Sequence, residues 1–159
     1  MDYEINLQER QAQPVVAIRD KVARSEMEQA LATLLPRVGR YLEQQGVRPA
    51  GHPYVRYHSS QIVDRVDYDV EVGYPVAQSV AEADNIVAGE LPGGQALVTR
   101  HSGAYGGVVA AYEALQEWIE NSDYEAAAAP WELYLVDPAA MEAGDDWEIE
   151  LVWPVSQPA

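Results

Sequence analysis

Cysteine is absent from the 159 residues, which removes disulfides, thiolate metal sites and cysteine nucleophiles together. Phenylalanine is absent too, so packing must rest on 36 Leu, Ile and Val side chains supplemented by Tyr, Trp and Ala. The three histidines, His52, His58 and His101, are scattered and form no short-range pair with an accompanying Glu. No metal or other cofactor is therefore expected. Lys21 is the one lysine, and no Lys or Arg follows Arg100. Apolar runs stay below 18 residues and no basic amino terminus precedes one. A soluble cytoplasmic protein without membrane insertion is the expectation.

What is abundant is carboxylate. Twenty-six Asp and Glu against ten Lys and Arg give a formal charge of -16. Residues 1–100 carry 14 acidic and ten basic groups, a sum of -4, and residues 101–159 carry 12 acidic groups and no Lys or Arg, a sum of -12. Such a field repels nucleic-acid phosphates, so direct nucleic-acid binding is not expected, and it attracts cations. Adaptation to a saline host or to genome base composition accounts for total charge equally well. Neither explains a carboxylate placed inside a pocket.

Asp69-Val-Glu-Val-Gly-Tyr-Pro-Val76 and Glu148-Ile-Glu-Leu-Val-Trp-Pro-Val155 share one pattern, with matching positions 79 residues apart. Upstream of each copy the order strand, helix, short strand recurs. The chain therefore reads as one α+β domain, 1–159, of two tandem pseudo-symmetric strand-helix-strand-strand modules, about 1–76 and 77–159. Their strands should form one antiparallel sheet with both helices on one face. Curvature at the module junction, on the opposite face, should open a ligand groove.

In chain order, residues 4–8 and 14–19 are strand candidates. Ser25 and Glu28 have capping-box spacing, and Met27, Leu31, Leu34, Val38 and Leu42 recur as a buried helical stripe up to about Gln45. Pro36 should kink that helix or start a second segment. Strands follow at 54–58 and 66–72, with a polar turn between them at 59–65. Tyr68, Val70 and Val72 then alternate with Asp67, Asp69 and Glu71. Residues 89–94 read as a turn and 95–101 as a strand. A helix over about 105–121 carries Val108, Tyr112, Leu115 and Ile119, and strands at 130–136 and 147–153 complete the chain.

These segments resemble the gyrase-inhibitor-like effector-binding family, also found as the ligand-sensing half of multidrug-responsive transcription regulators. The resemblance rests on Pro53-Tyr-Val-Arg-Tyr-His58 after Gly46, Asp69 to Val76, Gly89-Glu-Leu-Pro-Gly-Gly94, His101-Ser-Gly-Ala-Tyr105, Ala111-Tyr112 to Trp118, and Trp131-Glu-Leu-Tyr134 with Asp137-Pro138. They follow the family's order over nearly the whole chain. The resemblance implies a groove for lipophilic, often cationic or aromatic, compounds. It places a buried glutamate at Glu132 and a second site position at Tyr134. The amino-terminal DNA-binding domain of the fused regulators has no counterpart in the sequence, so operator recognition by this chain alone is not expected. A related haem-binding group leaves haem as a further reading, although no axial histidine can be identified.

Physical reasoning also singles out Glu132, the one charge in Trp131-Glu-Leu-Tyr-Leu-Val136. Strand alternation puts Glu132 and Tyr134 on one face and Trp131, Leu133 and Leu135 on the other. If the second set forms the helix-covered core, Glu132 and Tyr134 face the groove. Tyr57, Tyr68, Tyr105 and Trp147 are the further candidate ligand contacts, whereas helical spacing assigns Tyr112 to the core. Trp147 and Trp153 share strand parity and can also be read as core.

Three functions fit. The first is a stand-alone binding protein for hydrophobic, cationic small molecules that either sequesters them or reports their presence to another protein, such as a regulator. A second is a hydrolase opening cyclopropane rings of DNA-alkylating natural products, with Glu132 and Tyr134 as its catalytic pair. The third is an acidic interaction module that occupies DNA gyrase.

Overall fold

The structure is a computed structural model, and it describes residues 3–58, 67–83, 85–142 and 144–157. Strands β1 (Asn6–Arg10), β2 (Gln13–Ala23), β3 (Tyr54–Tyr57), β4 (Asp67–Pro75), β5 (Ile86–Leu91), β6 (Gly94–Gly103), β7 (Glu125–Ala126), β8 (Trp131–Tyr134) and β9 (Trp147–Ser156) accompany helices α1 (Met27–Gln44) and α2 (Val108–Glu120). The expected turn at 59–65 and the first residue of the 66–72 strand lie outside the described residues.

Among the described residues the fold is α+β, one antiparallel sheet in the order β1-β6-β9-β8-β3-β4-β2-β5, with β7 paired to the end of β9. Outward from the central β3–β8 pair, each half presents the same sequence of elements: β3-β4-β2 on one side and β8-β9-β6 on the other. Tyr57 stands opposite Val70 in the first half and Tyr134 opposite Ile149 in the second. The two edge strands are exchanged, because β1 pairs with β6 and β5 with β2.

Both helices pack on one face. Met27, Leu31, Leu34, Leu35, Val38 and Leu42 of α1 and Val108, Ala111, Tyr112 and Leu115 of α2 are buried against Val16, Ile18, Val55, Val70, Val72, Ile149 and Leu151. Each fully buried aliphatic side chain contributes about 1.5–3 kcal/mol. Pro36 sits inside α1, yet the helix runs unbroken from Met27 to Gln44, because Leu35 and Val38 on either side are held in the core. The capping box is not formed: the helix begins after a 3-10 turn over Arg24–Glu26, and no side chain caps it. A similar turn, Tyr105–Gly107, precedes α2.

The opposite sheet face, where a groove is expected, is occupied among the described residues by a second core. Arg10 and Gln13 end β1 and begin β2, but those strands are six steps apart in the sheet. A flat sheet would separate them by about 29 Å at the usual strand spacing, whereas the link, three Cα–Cα steps long, reaches at most about 11 Å. The sheet must therefore curl away from the helices. Its far face closes into a second core of Val15, Ala17, Tyr54, Leu91, Ala96, Val98, Trp131 and Val152. Gly93 marks the tight corner, since a Cβ there would lie 2.7 Å from the Ala12 amide nitrogen.

Two strands escaped the sequence reading. β5 contains Gly89 and buries only its end residues Ile86 and Leu91, and β7 is two residues long with both exposed. Neither carries an alternating apolar pattern.

Candidate ligand-binding site

The cavity lies on the helix side of the sheet, at the junction of the two halves. Strand alternation does separate Glu132 and Tyr134 from Trp131 and Leu133, but the helix-covered face is the one bearing Glu132 and Tyr134. Trp131 belongs to the far core, with Leu133 packed against it. The premise that Trp131 and Leu133 face the helices is thus reversed, because the curl of the sheet supplies its far face with its own apolar cover.

The cavity has a volume of about 430 Å³ and is lined by Glu132 and Tyr57 from the central strands, Tyr68 from β4, Tyr105, Gly106, Val108, Val109 and Tyr112 around the start of α2, and Arg24, Ser25 and Met27 around the start of α1. Both helices therefore point their first turns at it. That volume falls in the range of small-molecule sites, and so does a largely apolar lining with few polar groups.

Glu132 is completely buried. Its Oε1 accepts a hydrogen bond from the Tyr134 hydroxyl at 2.7 Å, and its Oε2 accepts one from Tyr112 at 2.8 Å. The Tyr105 hydroxyl lies 3.3 Å from those of both Tyr57 and Tyr134, extending the chain of phenols. Among the described residues no Lys, Arg or His forms an ion pair with Glu132. Burial raises its pKa above the usual carboxylate range, while hydrogen bonds from Tyr134, Tyr112 and Tyr57 act in the opposite direction. Burial, followed by the charge of Glu132, raises the pKa of Tyr57, Tyr112 and Tyr134. These phenols stay protonated at neutral pH, as donors to a carboxylate require.

Of the residues singled out in the sequence, Glu132, Tyr57, Tyr68 and Tyr105 line the cavity. Tyr134 stands behind it as a donor to Glu132. Trp147 is also one layer back, with its ring centroid 4.9 Å from that of Tyr105 and 5.8 Å from that of Tyr134. Tyr112 is buried as its helical spacing implied, but it also lines the cavity and holds Glu132. A signal was available, because a hydroxyl on an otherwise apolar helical stripe needs a buried acceptor. Arg24 and Ser25 had no such signal, since only the meeting of the two helix starts brings them to the cavity.

A second polar cluster lies on the far face of β3 and β4. Glu71 is 9% exposed and accepts hydrogen bonds from the Tyr54 hydroxyl and from His58 Nε2, the latter at 2.8 Å. Alternation puts Glu71 on the polar face of β4 with Asp67 and Asp69, and curling of the sheet buries it there.

Residues 1–156 match the model of a family described as the GyrI-like small molecule binding domain. The C-terminal domain of EcmrR has a similar structure, with a TM-score of 0.86 and 23% identity over 99% of this chain and 100% of that one. EcmrR in its complex with DNA gives a TM-score of 0.84 at 22% identity over 98% of this chain, which spans 58% of the EcmrR chain's length. SAV2435 bound to tetraphenylphosphonium gives 0.57 at 15% identity, over 98% of this chain and 94% of that one. At these identities the likenesses carry the fold. No curated protein matches the chain.

Proposed function

The chain belongs to the GyrI-like small molecule binding domain family, and we propose that its cavity takes a lipophilic organic cation, with Glu132 supplying the opposing charge. One observation carries this reading: a fully buried carboxylate beside an aromatic cavity, held by phenol donors and without an ion-pair partner among the described residues. A carboxylate out of water is costly, and hydrogen bonds alone offset that cost only in part. A bound cation supplies the remaining compensation. The faces of Tyr57, Tyr68, Tyr105 and Tyr112 add cation–π attraction of about 0.5–2 kcal/mol. The binding of tetraphenylphosphonium by SAV2435 supports the same ligand class.

Calorimetry with a matched aromatic pair, one bearing trimethylammonium and the other the isosteric tert-butyl group, tests the reading. Apolar burial is common to both ligands, so the cation should bind at least about tenfold more tightly, a difference of about 1.4 kcal/mol. Equal affinities would remove the charge-selecting role and leave an apolar small-molecule site.

The contact between Glu132 and Tyr134 also favours a second reading, hydrolysis of a strained ring. In that chemistry Glu132 would activate water, and Tyr134, which stands behind the cavity with its hydroxyl donating to Glu132, would orient that carboxylate. Saturable binding of a spirocyclopropane compound without ring-opened product above the buffer rate would eliminate it. An interaction between the acidic surface and DNA gyrase is tested separately, by binding at low ionic strength, where it should be strongest.

A further inference from the structure

His101 lies outside the cavity lining but is built into the turn that delivers Tyr105. It is 4% exposed, near the end of β6. Its Nε2 lies 2.8 Å from the Ala104 carbonyl oxygen and its Nδ1 lies 3.0 Å from the Tyr3 hydroxyl. A carbonyl can only accept, so Nε2 carries a proton, and in the neutral imidazole Nδ1 then accepts from the Tyr3 O–H. The Ala104 carbonyl also receives the Gly107 amide at 3.0 Å, closing the 3-10 turn that Tyr105 begins. The imidazole lies under that turn so closely that a Cβ on Gly107 would be 2.8 Å from His101 Cε1. Gly103, at φ +133°, makes the bend before it. The ring thus fills the space beneath the turn and pins its carbonyl. Beyond the turn, the Tyr105 ring lines the cavity and its hydroxyl meets those of Tyr57 and Tyr134.

On the other side of the imidazole is the segment before β1. Tyr3 reaches His101, and the Glu4 carbonyl accepts from Thr99 Oγ1 at 2.8 Å. We infer that His101 is a positioning residue for the ligand cavity, and that Tyr3, His101 and Ala104 link the amino-terminal segment to Tyr105. Order in residues 3–5 and occupancy of the cavity are then coupled, and by linkage each favours the other. The coupling rests on the cavity being the ligand site proposed above, whereas the seating of Tyr105 does not.

Tyr3→Phe tests the link because it keeps the ring and removes one hydroxyl that contacts no cavity residue directly. Loss of one net hydrogen bond corresponds to about fivefold, so tetraphenylphosphonium should bind Tyr3→Phe about threefold to tenfold more weakly than the wild type. His101→Leu should lose at least as much. His101→Gln, whose amide N–H can still reach Ala104, should recover part of that loss, which a general loss of packing would not do. Hydrogen exchange at residues 3–5 should slow on adding tetraphenylphosphonium to the wild type and not to Tyr3→Phe. Folded Tyr3→Phe and His101→Leu proteins with wild-type affinity would overturn the coupling.

If the wild type fails to bind tetraphenylphosphonium, the proposed ligand class and this coupling fail together. The seating role is read independently, from the NMR signals of the labelled Tyr105 ring in the unliganded protein. They should shift or split in His101→Leu and return toward wild type in His101→Gln. Unchanged Tyr105 signals in His101→Leu would overturn the seating role whatever the ligand.

Discussion

Replacing Glu132 by Gln keeps nearly the same side-chain volume and removes the one carboxylate lining the cavity, where Arg24 is the other charged residue, so it separates the electrostatics of the site from its packing. In the empty protein the carboxyl pKa is raised by burial. A raised acid binds its proton more tightly in the folded state than in the unfolded one. Its contribution to stability is therefore fully present below the ordinary glutamate range and is lost as pH rises through the folded value. The amide that replaces it does not titrate. Wild-type stability should thus fall relative to that of the variant across this window, by up to about 1.4 kcal/mol per pH unit for one proton. Below the window the two proteins should differ by about 1 kcal/mol, the scale of one rearranged hydrogen bond, since Tyr112 and Tyr134 donate to different oxygens of Glu132 and Gln replaces one of those oxygens by an NH2 donor. Urea titrations of both proteins at a series of pH values measure the difference directly. A lipophilic cation should reverse the comparison, because it stabilises the ionised form. Its affinity for the wild type should rise with pH, with proton release visible as a dependence of binding enthalpy on buffer. At neutral pH the variant should lose about 1–3 kcal/mol of cation affinity and much less affinity for the neutral isostere. Parallel stability curves for the two proteins, together with equal loss of both ligands, would refute the reasoning.

Tyr112→Phe removes the 2.8 Å donor to Glu132 and should raise the carboxyl pKa further. Cation affinity measured by calorimetry should fall by about 1 kcal/mol and its pH dependence should move upward. Val55 stands directly opposite Glu132 in the β3–β8 register. Val55→Glu would put two buried carboxylates about 5 Å apart at their Cβ atoms, so its thermal stability should drop sharply at neutral pH and recover partly on acidification, as one of the pair takes up a proton. Gly73→Ala would place a Cβ 2.0 Å from the Val16 carbonyl oxygen and 2.7 Å from the Ala17 Cα. These are backbone atoms of the neighbouring strand, so the variant should be destabilised by more than about 3 kcal/mol, and circular dichroism should show little cooperative unfolding.

The helices and principal strands were legible because each obeys a short-range period. Leu31, Val38 and Leu42 mark one face of α1, and Tyr68, Val70 and Val72 mark one face of β4. The isolated charge of Glu132 among apolar neighbours, and its alternation with Trp131, were legible for the same reason. Capping at Ser25 was misjudged, because a 3-10 turn satisfies the start of α1 in another way. The strands β5 and β7 carry little burial and hence little pattern.

Local periodicity determines which residues share a face, and here it separates Glu132 and Tyr134 from Trp131 and Leu133 without reference to the rest of the molecule. It cannot decide which face receives the helices. That choice follows from closure of the sheet: two-residue links join strands six positions apart, the far face curls into its own core, and the helices are left to cover the face bearing Glu132. The tertiary structure alone also brings Tyr112 from α2, Tyr57 from β3 and Tyr105 from the turn before α2 around one carboxylate. A buried charge is tolerated only where such distant donors converge, and their convergence is a property of the packed chain.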